Sequence, residues 1–185
     1  MKKQNHVLKE SISWLLTVVL PVAVVFLINL YVCKLAVVSG DSMYPTLFDR
    51  DLLVVWMLNA EPACGDVVVV NSPEDSYLHG EKIVKRVIAT GGQTVSIDYE
   101  ENAVYVDGVK LDEPYLNFSE ADPMAALSDG AEVTVPEGCY YVLGDNRNHS
   151  GDSRNGEIGF IAPEDLVGIQ IARIPLGRWN RSVKG

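Results

Sequence analysis

From Leu15 to Cys33 the chain reads LLTVVLPVAVVFLINLYVC, without a single charge. Extended back to Ser11 or forward past Lys34 toward Val38, the run is long enough to cross ~30 Å of hydrocarbon as a helix. Pro21 does not argue against this, because membrane helices tolerate proline better than soluble ones. Lys2, Lys3 and Lys9 precede the run, and Lys34 alone follows it closely. The positive-inside bias then places residues 1–10 in the cytoplasm, a transmembrane helix over 11–34, and residues 35–185 outside. A cleaved secretory leader fits less well, since the run exceeds the usual ~7–15-residue apolar region and no A-x-A site follows it. Nor is Val32 the small residue expected before a lipoprotein cysteine.

The two sides of this span differ in charge. Residues up to Cys33 carry three lysines and one glutamate; the remainder carries 12 basic and 24 acidic residues, within a formal net charge of -10. An exterior that acidic argues against nucleic acid and against docking on anionic lipid. Of the three cysteines, Cys33 stands at the membrane edge. Cys64 and Cys139 can pair, but nothing in their spacing requires it, and they read by default as small buried hydrophobes. There is no CxxC and no Cys/His ligand cluster, so no metal is implied.

Beyond the apolar run the pattern is mainly β. Short stretches rich in Val, Ile, Leu and Tyr alternate with turn residues, which predicts strands over Asp51–Met57, Asp66–Asn71, Lys82–Thr90, Thr94–Ile97, Ala103–Val106, Glu132–Val135, Tyr140–Leu143 and Leu166–Ile174. VYVDGVKL, Val104 to Leu111, predicts a hairpin with an Asp-Gly turn. GDVVVV, Gly65 to Val70, predicts a strand buried on both faces. The whole suggests a folded sheet or barrel-like architecture. Eleven acids against one base, Lys110, between Asp98 and Glu137 mark a separate acidic lobe inserted at about 95–137, with DPMAALSDG as a mobile loop within it.

Three segments offer chemistry. SGDSMYPTL, Ser39 to Leu47, follows the apolar run and holds Ser42; turns are made of such residues, but a nucleophile at a membrane surface needs the same place. In EKIVKRVIATGGQTV, Glu81 to Val95, strand alternation sets Lys85 between Ile83 and Val87 on one face, with Val84, Arg86 and Ile88 on the other. Burial on that face would lower the lysine pKa and make it a general base, whereas an edge-strand lysine would reach solvent. GDNRNHSGDSR, Gly144 to Arg154, is a dense polar loop in which Asp145 can pair with Arg86, Asp152 with Arg154, and Ser150 remains free to offer a hydroxyl. TGGQT lacks phosphate-loop spacing.

In this order the segments resemble the bacterial type I signal peptidases, especially the short single-span form of Gram-positive bacteria. The matching motifs cover about a third of the chain. The resemblance implies an anchored serine endopeptidase that cuts secreted preproteins after small residues, in an Ala-x-Ala pattern. It implies a Ser42 nucleophile, a Lys85 general base, Ser150 orienting the lysine, Asp152 and Arg154 holding the loop, and Asp145 paired with Arg86. It also implies Met43 beside the catalytic pair and Val38, Leu47 and Val84 lining shallow pockets. The partners it implies are preproteins, the lipid bilayer and the secretion machinery; it implies no cofactor. Some members carry a serine two residues before the nucleophile. Here that residue is Gly40, which leaves the oxyanion to backbone N–H groups such as that of Ser42.

Three other readings compete. A Ser42–His149 triad completed by Asp145 or Asp152 is one. A self-cleaving regulator is a second, and an anchored, non-catalytic β-rich binding or assembly module is a third.

Overall fold

The computed structural model describes residues 13–116 and 123–176. The apolar run opens as a π-helical turn, Leu15–Val19, and continues as α1 (Leu20–Tyr31). Pro21 accounts for the irregular start: it has no N–H to give the Thr17 carbonyl four residues earlier, so the ladder shifts there. From Leu15 to Leu27 the large apolar side chains, including Leu15, Val19, Val22, Val25 and Phe26, are exposed on every side.

The expected span over 11–34 needs correction at its C-terminal end. Cys33–Val37 is a strand, β1, because β2 (Leu52–Trp56) offers it a complete antiparallel register from Cys33↔Trp56 to Val37↔Leu52. Among the described residues no helix is long and apolar enough to cross a membrane. Residues 1–12, which include the expected cytoplasmic segment, lie outside the described ones.

The remaining strands in chain order are β3 (Val67–Asn71), β4 (Lys82–Thr90), β5 (Thr94–Asp98), β6 (Ala103–Val106), β7 (Val109–Lys110), β8 (Val133–Thr134), β9 (Tyr140–Leu143) and β10 (Leu166–Ile174). Six form one antiparallel sheet in the order β1-β2-β10-β3-β4-β9, and four form a second in the order β7-β6-β5-β8. The expected barrel does not close. The outer side of β9 is taken by a bridge between Tyr140 and Ile161 and by the Ser153 turn, whose hydroxyl accepts the Val142 N–H, so β9 never meets β1.

Period-two alternation sorts the apolar residues of the large sheet between two clusters. Val68, Val70, Val87, Val142, Ile158 and Ile161 form one; Val38, Met43, Leu47, Leu53, Val55 and Val69 form the other. Val68, Val69 and Val70 are all buried, as a doubly covered strand requires.

The inserted lobe shares a core with the main sheet. Val95, Ile97, Val104, Val106, Met124 and Val135 pack with Ile88, Ala89, Tyr141 and Leu143 in a third cluster. The described part of DPMAALSDG is not the free loop that its composition suggests. Met124 is buried in this cluster, its N–H donates to Asn102 Oδ1 at 2.6 Å, and the Tyr99 and Ser128 hydroxyls bond at 2.8 Å. All three cysteines are free, and Cys64 is exposed rather than buried.

At Gly168, beside a register shift in the β10–β3 ladder, a Cβ would run into the Trp56 carbonyl of β2. Gly168→Ala should therefore destabilise the fold by about 1–3 kcal/mol, the cost typical of overpacking. Thermal denaturation checks this; an unchanged midpoint would mean that β10 and β2 can move apart freely.

Candidate active site

Ser42 lies in the loop between β1 and β2. This loop is closed at its base by Val38 N–H to the Asp51 carbonyl at 2.9 Å and Arg50 N–H to the Val38 carbonyl at 2.8 Å. Asp51, fully buried, accepts the Phe48 N–H and pairs with Arg173 of β10 at 2.7 Å; Arg173 also donates to the Thr46 carbonyl. Met43 and Leu47 turn inward and fill the cluster beneath. Gly40 takes a positive φ of 84°, and its N–H is engaged by Asp49 Oδ1 at 3.1 Å.

Lys85 comes from β4. Its strand neighbours Ile83 and Val87 pack into apolar surroundings, and the lysine itself is only 3% exposed. Its Nζ donates to Ser42 Oγ at 3.0 Å and to the Val84 carbonyl at 3.0 Å. Burial lowers the Lys85 pKa from 10.5 to about 8, against the opposing pull of Asp152 and Asp145. The hydrogen bond can then run either way. The ammonium donates to the serine; the neutral amine accepts the serine proton while still donating to Val84.

The polar loop after β9 holds both partners in place. The Asn146 N–H donates to the Ser42 carbonyl at 2.9 Å, and Asn146 Nδ2 to the Asp41 carbonyl at 3.1 Å. Gly144 permits this approach, because a Cβ there would collide with Ser150 Oγ and the Ser42 carbonyl. Arg86 and Asp145 form a two-pronged pair, Nε to Oδ1 at 2.8 Å and Nη2 to Oδ2 at 2.6 Å. Asp152 and Arg154, both without side-chain exposure, pair at 2.8 and 2.9 Å. Asp152 also accepts the Gly144 N–H, and Arg154 donates to the Arg147 carbonyl.

Two expected contacts are absent. Ser150 Oγ is buried beside Gly144 but has no hydrogen-bond partner among the described residues, and so makes no hydrogen bond to Lys85. Leu47 lies in the core and does not line the groove at Ser42; that groove, of about 250 Å3, has Val38, Met43 and Val84 among its walls. Tyr77, Leu78 and Ile83 line it as well and were not singled out from the sequence. Tyr77 belongs to a stretch, NSPEDSYLHG, that reads only as a polar loop; its hydroxyl sits against Gly151 so closely that any side chain at 151 would strike it. His149 is exposed, and the two carboxylates that could serve it are engaged by arginines.

Comparison with known proteins gives a consistent relationship. A family model described as signal peptidase, peptidase S26, matches residues 11–175. Signal peptidase I S of Bacillus subtilis is 37% identical over 180 residues, covering 91% of this chain and 91% of that protein. Signal peptidase I T of the same organism is 39% identical over 174 residues, covering 90% and 84%. A signal peptidase I of Bacillus amyloliquefaciens is 39% identical over 163 residues, covering 84% and 81%.

The buried cation carries a stability cost with a defined sign. Below the folded pKa of about 8, the folded state must bury an ammonium that the unfolded chain, at 10.5, keeps in water; above 10.5 both states are neutral and the cost vanishes. Lys85→Met should therefore raise the melting temperature at pH 6–7, with a gain that shrinks as pH rises from about 8 to 10.5. A gain independent of pH would remove the buried-charge explanation. Asp152→Asn should act oppositely and destabilise by about 3–5 kcal/mol, because it strands a buried guanidinium. Chemical denaturation of both variants across pH measures these effects.

Proposed function

The chain belongs to the signal peptidase family, peptidase S26, and from that premise we propose how this serine endopeptidase removes signal peptides: Ser42 is the nucleophile, Lys85 is the general base, and both work at a membrane surface. The observation that carries the assignment is the 3.0 Å contact between Ser42 Oγ and the Nζ of a lysine whose pKa burial lowers to about 8.

Neutral Lys85 takes the Ser42 proton as Oγ attacks the scissile carbonyl carbon. The tetrahedral intermediate collapses when the Lys85 ammonium returns that proton to the leaving amine, which leaves an acyl-enzyme on Ser42. Lys85 then takes a proton from water, the hydroxide attacks the ester, and the ammonium protonates Ser42 Oγ as the acid departs. Backbone N–H groups near Ser42 receive the oxyanion.

The groove supports an extended substrate. β3 pairs with β4 from Lys82 to Arg86, whereas β9 pairs only from Arg86 onward, so among the described residues the second edge of Lys82–Lys85 has no strand beside it. Val37, Val38 and Ser39 face that edge across the groove. A peptide laid between them adds as a strand and directs alternate side chains at walls built from Val38, Ile83 and Val84, which suits small residues at the first and third positions before the cut. An apolar helix with exposed side chains all round, joined directly to β1, supports a membrane anchor beside the site, with the peptidase body on the extracytoplasmic side.

The direct test is cleavage of a preprotein carrying an Ala-x-Ala site by the detergent-solubilised chain, with the product N-terminus sequenced. Ser42→Ala should abolish cutting. Lys85→Arg should lower the rate by about 10²–10⁴-fold, since a guanidinium stays charged and cannot accept the proton. Activity should climb with pH through a midpoint near 8, because the deprotonated lysine is the working form. A rate unchanged from pH 6 to 9, or full turnover by Lys85→Arg, would sink the base assignment. A folded wild type that cuts no preprotein would favour the binding-module reading.

A further inference from the structure

The nucleophile and the base sit on different elements, and each has a neighbour gripped from the inserted lobe. After β7 the chain returns toward the main sheet as Leu111–Tyr115. On this strap Glu113, with a side chain 6% exposed, pairs with the fully covered Arg147 at 2.5 and 3.2 Å. Arg147 also donates to the Gly144 carbonyl at 3.0 Å. It directly follows Asn146, whose N–H holds the Ser42 carbonyl. Two residues along the strap, the Tyr115 ring lies 3.9 Å under the Arg86 guanidinium, and its hydroxyl donates to Glu113 Oε1 at 2.7 Å. Arg86 directly follows Lys85 on β4. The lobe also holds Asn148, which accepts the Ala125 N–H at 2.8 Å and donates to the Pro123 carbonyl at 3.0 Å.

From this arrangement we infer that Glu113 and Tyr115 are positioning residues for the reaction: the strap of the inserted lobe sets the separation of Ser42 and Lys85 by fixing Arg147 and Arg86 together. The inference rests on the Ser42–Lys85 reading of the site. Neither residue reaches the groove, whose walls come from Val37–Ser39, Met43, the Tyr77–Leu78 turn and Glu81–Lys85. Loss of the strap contact therefore lengthens the proton-transfer contact without removing a wall that binds peptide. Misplacement of reacting groups by an ångström costs up to about a hundredfold in rate.

The test compares two substitutions in the same strap by steady-state cleavage of an Ala-x-Ala preprotein, using the full chain in detergent. Glu113→Gln keeps the shape and removes the charge that holds Arg147. Leu111→Ala removes apolar packing against the lobe core without touching either arginine. Melting temperatures are recorded for both, and assays run well below the lower one. Glu113→Gln should lower kcat by about ten- to a hundredfold, with KM within about twofold of wild type, the signature of an interaction used after binding. Leu111→Ala should lower the melting temperature while leaving kcat near wild type. If Glu113→Gln does not fold, Tyr115→Leu, at a partly exposed position, carries the same expectation. Unchanged kcat in the strap variants, or an equal fall in kcat for Leu111→Ala, overturns the inference while the dyad stands. A wild type that does not cut, like Ser42→Ala alongside it, overturns the reading beneath it as well.

Discussion

In the proposed mechanism Lys85 loses its proton near neutral pH, and a lysine that does so cannot sit next to uncompensated carboxylates. That constraint organises the centre of this molecule. Burial pushes the Lys85 pKa down, while Asp152 and Asp145 push it up. Each of those carboxylates has its own arginine: Arg154 for Asp152 and Arg86 for Asp145. The pairs keep the acids from acting as a free counter-ion that would fix the ammonium. They also engage the two carboxylates, Asp145 and Asp152, that a His149 triad would draw on. The same side chains thus do structural and electrostatic work. Their burial is costly in isolation and tolerable because each carboxylate is matched by a guanidinium, although Arg154 Nη1 is left without a hydrogen-bond partner among the described residues.

The second demand is approach. Ser42 has to meet a side chain from β4, so three separate segments converge at one point: the β1–β2 loop, β4, and the loop after β9. Close approach is achieved by leaving atoms out. Gly144 lets the Ser42 backbone and Ser150 come against the same peptide, and Gly151 makes room for the Tyr77 hydroxyl. Arginine donors to main-chain carbonyls then lock the segments: Arg86 to Gly65 at 2.7 Å, Arg147 to Gly144, Arg154 to Arg147, and Arg173 to Thr46. The inserted lobe belongs to this scaffold rather than hanging from it, through a shared apolar core and the Glu113–Arg147 pair.

Most of the strands were legible in the sequence because alternation and turn chemistry are local signals. The Asp107-Gly108 hairpin and the doubly buried valines of β3 are examples. The placement of Lys85 between two apolar neighbours, with Arg86 on the opposite face, also followed from alternation, whereas the pairing of Arg86 with Asp145 came from the family resemblance. What escaped depends on partners distant in the chain. Cys33–Val37 reads as the tail of an apolar helix until β2 is known to offer it a ladder. Leu47 is as apolar as a pocket residue and differs only in pointing inward. The free Ser150 hydroxyl is a matter of side-chain position that no motif encodes. Glu113 is one of many acids in the lobe, and nothing local distinguishes the one that meets a buried arginine. Met124 likewise converts a stretch that looks mobile into one pinned to a core.

The measurement that bears most directly on this account is the protonation state of Lys85 itself. With lysines labelled at Cε and the Lys85→Met protein used to assign the resonance, NMR titration of the folded chain in detergent micelles reads its pKa without any substrate. The midpoint should lie near 8, well below the 10.5 of an ordinary lysine. A Lys85 that titrates at or above its ordinary value, in a folded chain, would contradict it: the lysine would then be a permanent cation beside Ser42 and could not take its proton.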